Sequence, residues 1–121
     1  MSIITKEQLG SLISIGFVAS AKGMVAQSRV IFNGILAAMP GQSGALTGLA
    51  FSHIVVDEFT KGDEILQEVI ECDPSFYEAS AVLVLSLMLQ KNPDEAKRIA
   101  STIPDNVTAK SLANNALSLE V

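Results

Sequence analysis

The chain has no tryptophan, one tyrosine, five phenylalanines, one cysteine and one histidine in 121 residues. Each shortage excludes something. A single cysteine, Cys72, allows no intramolecular disulfide and fits a reducing compartment; beside Asp73-Pro74 it reads as a packing residue at a helix end. One histidine and one cysteine far apart rule out the common zinc cages built from those residues, so no metal and no other cofactor is expected. Basic residues are outnumbered, 8 Lys+Arg against 13 Asp+Glu for a net charge of −5, and they are scattered. A phosphate backbone demands a basic stripe, so nucleic acid is not an expected partner. With few aromatics, Leu, Ile, Val and Ala must build the core, and they can: 49% of the residues are apolar. Charge is missing altogether from Val30 to Val56, a run long enough by count to cross a bilayer. Pro40-Gly41-Gln42-Ser43-Gly44 cuts it into two shorter helices, so no membrane span is expected. The N-terminus has no basic region followed by an apolar run, hence no expected secretory signal.

Catalytic constellations are equally scarce. Asp57-Glu58, Asp63-Glu64 and Asp94-Glu95 are adjacent carboxylates, but all fall at turns or helix starts, where negative charge favours the helix dipole. Gly41, Gly44 and Gly48 lack the preceding strand and the lysine of a phosphate loop; Gly44 and Gly48 instead mark tight helix packing. His53 reads as a satisfied core histidine, and Asn106-Val107-Thr108 as a chance glycosylation match. No enzyme is expected.

What is present is helical. Thr5 with Gln8 three residues later makes a capping-box pattern, opening a helix that runs to about Ala21. Further helices are predicted over Met24 to Ala38, Gly44 to Val56, Lys61 to Glu71 and Phe76 to Gln90. A sixth starts at Pro93, well placed in a first turn, and stops before Pro104. The seventh spans about Val107 to Leu119, with Lys110, Asn114 and Asn115 on a polar side and Leu112, Ala116 and Leu119 on an apolar one.

One signal is written twice at a spacing of 34 residues: Phe32, Leu36 and Pro40, then Leu66, Ile70 and Pro74. Leu12, Ile15, Gly16 and Ala19 map onto Leu46, Leu49, Ala50 and His53, and these onto Ser80, Leu83, Val84 and Leu87. Ser28, Gly62 and Ala96 put a small residue where paired helices touch, which lets their axes approach to about 8 Å. A period of 34 with proline after an amphipathic helix indicates paired helices that stack.

Over roughly residues 9 to 104 these features resemble the tetratricopeptide repeat family. They depart from it in having no Trp at a unit start, His53 where an aromatic is usual, and an early Pro104. The resemblance implies one all-α domain of three helix–turn–helix repeats, about 9–42, 43–76 and 77–104, in a right-handed solenoid, closed by a C-terminal capping helix at about 107–119. It also implies a concave surface lined by the first helix of each unit. Ile13 and Phe17, then Phe51, Ile54 and Val55, then Leu85, Met88 and Leu89 are the partner-binding candidates, with Thr47 and Ala81 between them. All are uncharged, so a carboxylate clamp is excluded, and the groove suits an amphipathic helix.

Small acidic three-repeat proteins of this kind resemble the tetratricopeptide-like chaperones of bacterial type III secretion, in particular the needle-subunit class. That resemblance implies a cytoplasmic bacterial protein, linked to virulence, that sequesters an amphipathic helix of a small secreted subunit, with a possible second small co-chaperone. The alternatives are a general scaffold or adaptor, a homodimer through the same surface, and a groove closed on itself as ordinary core. The last helix either caps the stack or occupies the groove.

Overall fold

The computed structural model describes residues 4–119. Seven helices follow one another: α1 (Lys6–Ala21), α2 (Val25–Ala38), α3 (Ser43–Ile54), α4 (Phe59–Cys72), α5 (Tyr77–Leu89), α6 (Pro93–Ser101) and α7 (Thr108–Leu117). No strand occurs among the described residues, so the all-α class expected from composition holds. α1 begins where the capping box predicts: Gln8 N–H donates to Thr5 Oγ1 at 3.1 Å, and Thr5 N–H donates to Gln8 Oε1 at 2.9 Å. α3 ends two residues earlier than the pattern suggests and α4 starts two residues earlier, because the intervening turn, of the expected length, lies two residues nearer the N-terminus.

That turn is the clearest regularity of the backbone. Gly23, Asp57 and Lys91 lie 34 apart and all take left-handed conformations, with φ of 84°, 64° and 61°. The N–H of the following residue reaches back to a helix carbonyl each time: Met24 to Ala19 O at 2.8 Å, Glu58 to His53 O at 2.9 Å, Asn92 to Leu87 O at 2.9 Å. This six-to-one bond is the Schellman stop, which satisfies carbonyls a helix end leaves open. The second helices end alike too, Met39 N–H on Ile35 O and Asp73 N–H on Val69 O. The chain therefore repeats its local geometry at the same interval as its sequence.

Packing follows the same count. Phe32, Leu66 and Ala100 are buried, as are Ile35, Val69 and Ile103, and Ser28 and Ala96. Ala45, Ala79 and Ala113 are fully enclosed, which carries the register into α7. Three apolar clusters result, centred on Phe32 and Ile35, on Ile54, Leu66 and Val69, and on Val84, Ile103 and the α7 alanines. Each large side chain so enclosed contributes roughly 1.5–3 kcal/mol. Phe32 owes its place to two glycines. A Cβ on Gly16 would lie 2.5 Å from Phe32 Cζ, and one on Gly48 would overlap the ring. Gly44 similarly leaves room for Ile13 Cδ1, so both α3 glycines receive neighbouring side chains.

Odd-numbered helices pack on one another in series, α1 on α3, α3 on α5 and α5 on α7, whereas the even-numbered ones have no close backbone approach. α7 leans onto α5 more extensively than onto α6. Its contact face is alanine (Ala109, Ala113, Ala116), while Leu112 and Leu119 remain half exposed. Lys110, expected on the polar outer side, turns inward instead. Its Nζ donates to the Ala100 and Ile103 carbonyls at 2.8 and 3.2 Å, satisfying the C-terminal end of α6. Cys72 is a further correction: it is exposed, because the last residue of α4 points away from the core.

Candidate functional site

Four large apolar residues at one register position, Phe17, Phe51, Leu85 and Leu119, stand in a row 34 residues apart and line a single pocket of about 370 Å³. They come from α1, α3, α5 and the chain just past α7. Ala81 and Val82 of α5 form one wall, and Leu112, Asn115 and Ala116 of α7 the other. Among the described residues that line it, Asn115 supplies the only polar side chain. The Phe17 and Phe51 rings sit 5.3 Å apart with planes tilted by 32°, and Phe17 also meets the buried Phe32 edge-on at 5.6 Å. One end of the pocket is thus an aromatic floor, backed by Phe32 packed against Gly16 and Gly48.

Of the eight residues expected to line a groove, the structure brings Phe17, Phe51 and Leu85 together. Ile54 and Met88 are corrections: at 1% and 7% exposure they are core. Each faces the second helix of its own unit, Ile54 against Gly62, where its Cγ1 would stand 2.8 Å from an added Cβ, and Met88 within the cluster that holds Ala96. Ser20 and Ser28 meet at the same place in the first unit, hydroxyl to hydroxyl at 2.6 Å. Large faces small there, and the pairing leaves nothing over for a partner. Val55 and Leu89 are exposed, one turn beyond Phe51 and Leu85 and outside the pocket. Ile13 fills the α1–α3 seam at Gly44. Thr47, expected in the groove, is buried, and its hydroxyl lacks a partner. Leu119 was the residue to find: it is Leu85 plus one period.

Polar side chains do structural work between units. Arg29 of α2 donates through Nε to Ser52 Oγ at 3.0 Å and through Nη2 to the Ser52 carbonyl at 3.3 Å and to Glu58 Oε1 at 2.8 Å. His53 Nδ1 is 2.8 Å from the same carboxylate oxygen. One period later, Asp63 of α4 accepts from Ser86 Oγ at 2.6 Å and from Gln90 Nε2 at 2.8 Å. Both serines are fully buried, so the second helix of each of these units is tied to the first helix of the next. The hydrogen bonds from His53 and then Arg29 hold the Glu58 carboxyl below its ordinary range. His53 is therefore half-buried and satisfied, and two of the three carboxylate pairs have members engaged in joining helices. The third gives Glu95, whose carboxyl is lowered by its hydrogen bond to Arg98. Among the described residues no helix is long and apolar enough to cross a membrane, and no group of three or more His, Cys, Asp or Glu could hold a metal ion. No family model matches the chain, and no curated protein matches it significantly.

Proposed function

We propose that this chain is a non-enzymatic binding module, a three-repeat tetratricopeptide-like solenoid with α7 as the first helix of an incomplete fourth unit. Its apolar concave pocket takes an amphipathic helix. The observation that carries the reading is the row of Phe17, Phe51, Leu85 and Leu119 in one open, almost wholly apolar pocket. Leu112 and Leu119 are 52% and 40% exposed. Covering such side chains contributes roughly 1.5–3 kcal/mol each at full burial, enough after halving to offset part of the cost of association. The Phe17 and Phe51 rings, 5.3 Å apart, form one joint aromatic surface against which an apolar side chain of such a helix can rest. The tenant's biology follows the needle-subunit chaperones of type III secretion: a cytoplasmic protein keeps a self-polymerising subunit monomeric until export, and no bond is made or broken.

Co-expression with a small helical secreted subunit tests this. A one-to-one complex is expected on size exclusion, lost in Phe51→Glu with helical content unchanged. Equal binding by the mutant overturns the site.

A second reading, self-association, is favoured by Ile15, Val18 and Val30, which α1 and α2 leave exposed. From the start of the described residues through α3, the charged side chains are Lys6, Glu7, Lys22 and Arg29. Two copies can therefore meet there without the like-charge repulsion that a net charge of −5 implies elsewhere. A dimer lost in Val18→Glu would support it, and a monomer at high concentration would end it.

A further inference from the structure

A second pocket, about 460 Å³, opens between α4, the start of α5 and α6. Its origin is legible in the register. One period before Tyr77, Ser80 and Leu83 stand Ser43, Leu46 and Leu49, and Leu46 packs onto the central core. Ser80 is shorter and polar, so the space its counterpart's side chain takes up is left open here. The volume lies toward the lower end of the ligand range, roughly 300–1,000 Å³.

The polar groups around this pocket are unevenly committed. Arg98, its one cation, is held by Glu95 through Nε at 2.7 Å and through Nη2, a pairing that lowers the Glu95 pKa and raises that of Arg98. Thr102 Oγ1 donates to the Ile99 carbonyl at 2.6 Å. Ser80 is only 6% exposed, lines the pocket, and its hydroxyl has no partner among the described residues. Its oxygen keeps solvent access, unlike Thr47 Oγ1, so it opens into the pocket and is free to bond to whatever occupies it. Gln67, Glu71 and Tyr77 are likewise uncommitted at the rim. Every spare group can accept a hydrogen bond, and Glu71 brings a negative charge reinforced along α4 by Glu64 and Glu68. Ile70, Leu83 and Ile99 supply an apolar wall. A primary ammonium has three donors and no acceptor, which is the complement of this set.

We propose that this pocket binds a small organic cation, a primary ammonium carried on an aromatic or branched aliphatic body. The ammonium lies between Glu71 and the Ser80 and Tyr77 hydroxyls, and the body rests on Ile70, Leu83 and Ile99. The site is independent of the helix-binding pocket.

The test is a titration of the full chain, followed by amide chemical shifts, with phenethylamine as probe and with phenylacetate and 2-phenylethanol as anionic and neutral probes of the same body. Saturable shifts are expected for phenethylamine at residues 67–71, 80–83 and 98–102, with Kd on the order of 1 mM. Both other probes should bind at least about tenfold more weakly, the loss of one charged hydrogen bond. Ser80→Leu, which restores the residue type found one period earlier, should fill the pocket and abolish binding. Glu71→Gln, on an exposed side chain that bears no packing, should weaken it about tenfold or more and decides the matter if Ser80→Leu does not fold. No saturable shift up to about 10 mM, equal binding of the three probes, or undiminished binding by Ser80→Leu overturns the proposal.

Discussion

Replacing Lys91 with glycine should make this protein more stable. Lys91 occupies the left-handed turn between α5 and α6 with φ of 61°, where an L-residue costs roughly 1–2 kcal/mol because Cβ crowds its carbonyl. Glycine removes that cost but loses about 0.5–1 kcal/mol more chain entropy on folding. A lysine after a helix C-terminus also gains about 0.3 kcal/mol from the dipole, which the substitution forfeits. The side chain is exposed, so no packing is lost. The balance is a gain of about 0.5 kcal/mol. The reciprocal change is Gly23→Ala, which puts a side chain into the same backbone state (φ 84°) with open space around it; it should cost about 1 kcal/mol. Urea unfolding measures both. With a slope of about 1–3 kcal/mol/M, Lys91→Gly should raise the midpoint by about 0.3 M and Gly23→Ala lower it by about 0.5 M, with slopes unchanged. A midpoint that falls in Lys91→Gly, or stays put in Gly23→Ala, would refute the claim that the three turns share one backbone geometry.

Gly48→Ala drives a methyl into the Phe32 ring and should cost about 1–3 kcal/mol by thermal unfolding, partly restored by adding Phe32→Leu; an unchanged midpoint would show that Phe32 is not locked. Ser86→Ala strips Asp63 of its 2.6 Å bond and should cost about 1–2 kcal/mol, whereas Ser75→Ala, on an exposed turn, should do nothing. Glu58 has a lowered folded pKa, so its stabilising share is fully present above the ordinary carboxylate range and disappears as pH falls through the lowered value. The stability gap between the wild type and Glu58→Gln should therefore close in acid, and a gap that widens there would contradict the Arg29–His53–Glu58 geometry.

The repeat could be read in advance because it is carried by residues whose chemistry is local. Proline after a helix, a glycine turn at Gly23 and small residues at Ser28, Gly62 and Ala96 signal their roles wherever they occur. Asp57 and Lys91 signal nothing, since neither residue type announces a left-handed backbone; their role emerges only by counting 34 from Gly23. Facing was harder than spacing. On the first helix of a unit, Phe51 and Ile54 are both apolar and only three residues apart, so hydrophobicity alone cannot say which meets the groove and which meets the second helix. Gly62 decides it, because a missing side chain on one helix calls for a large one opposite. The same limit applies to α7: its pattern puts Leu112, Ala116 and Leu119 together on an apolar side, and only the packed structure shows that the alanines meet α5 while the two leucines stay exposed. The pocket at Ser80 shows as a hole only beside the folded neighbours that leave it unfilled.

The most direct test of the binding account is to map where an amphipathic helix lands. A peptide of about four helical turns with one leucine-rich face should be titrated into the labelled protein, with a scrambled peptide of the same composition alongside. The account predicts shifts concentrated at Phe17, Phe51, residues 81–85 and residues 112–119, absent with the scrambled peptide and with Phe51→Glu. Shifts confined to α2, α4 and α6, or equal responses to both peptides, would contradict it.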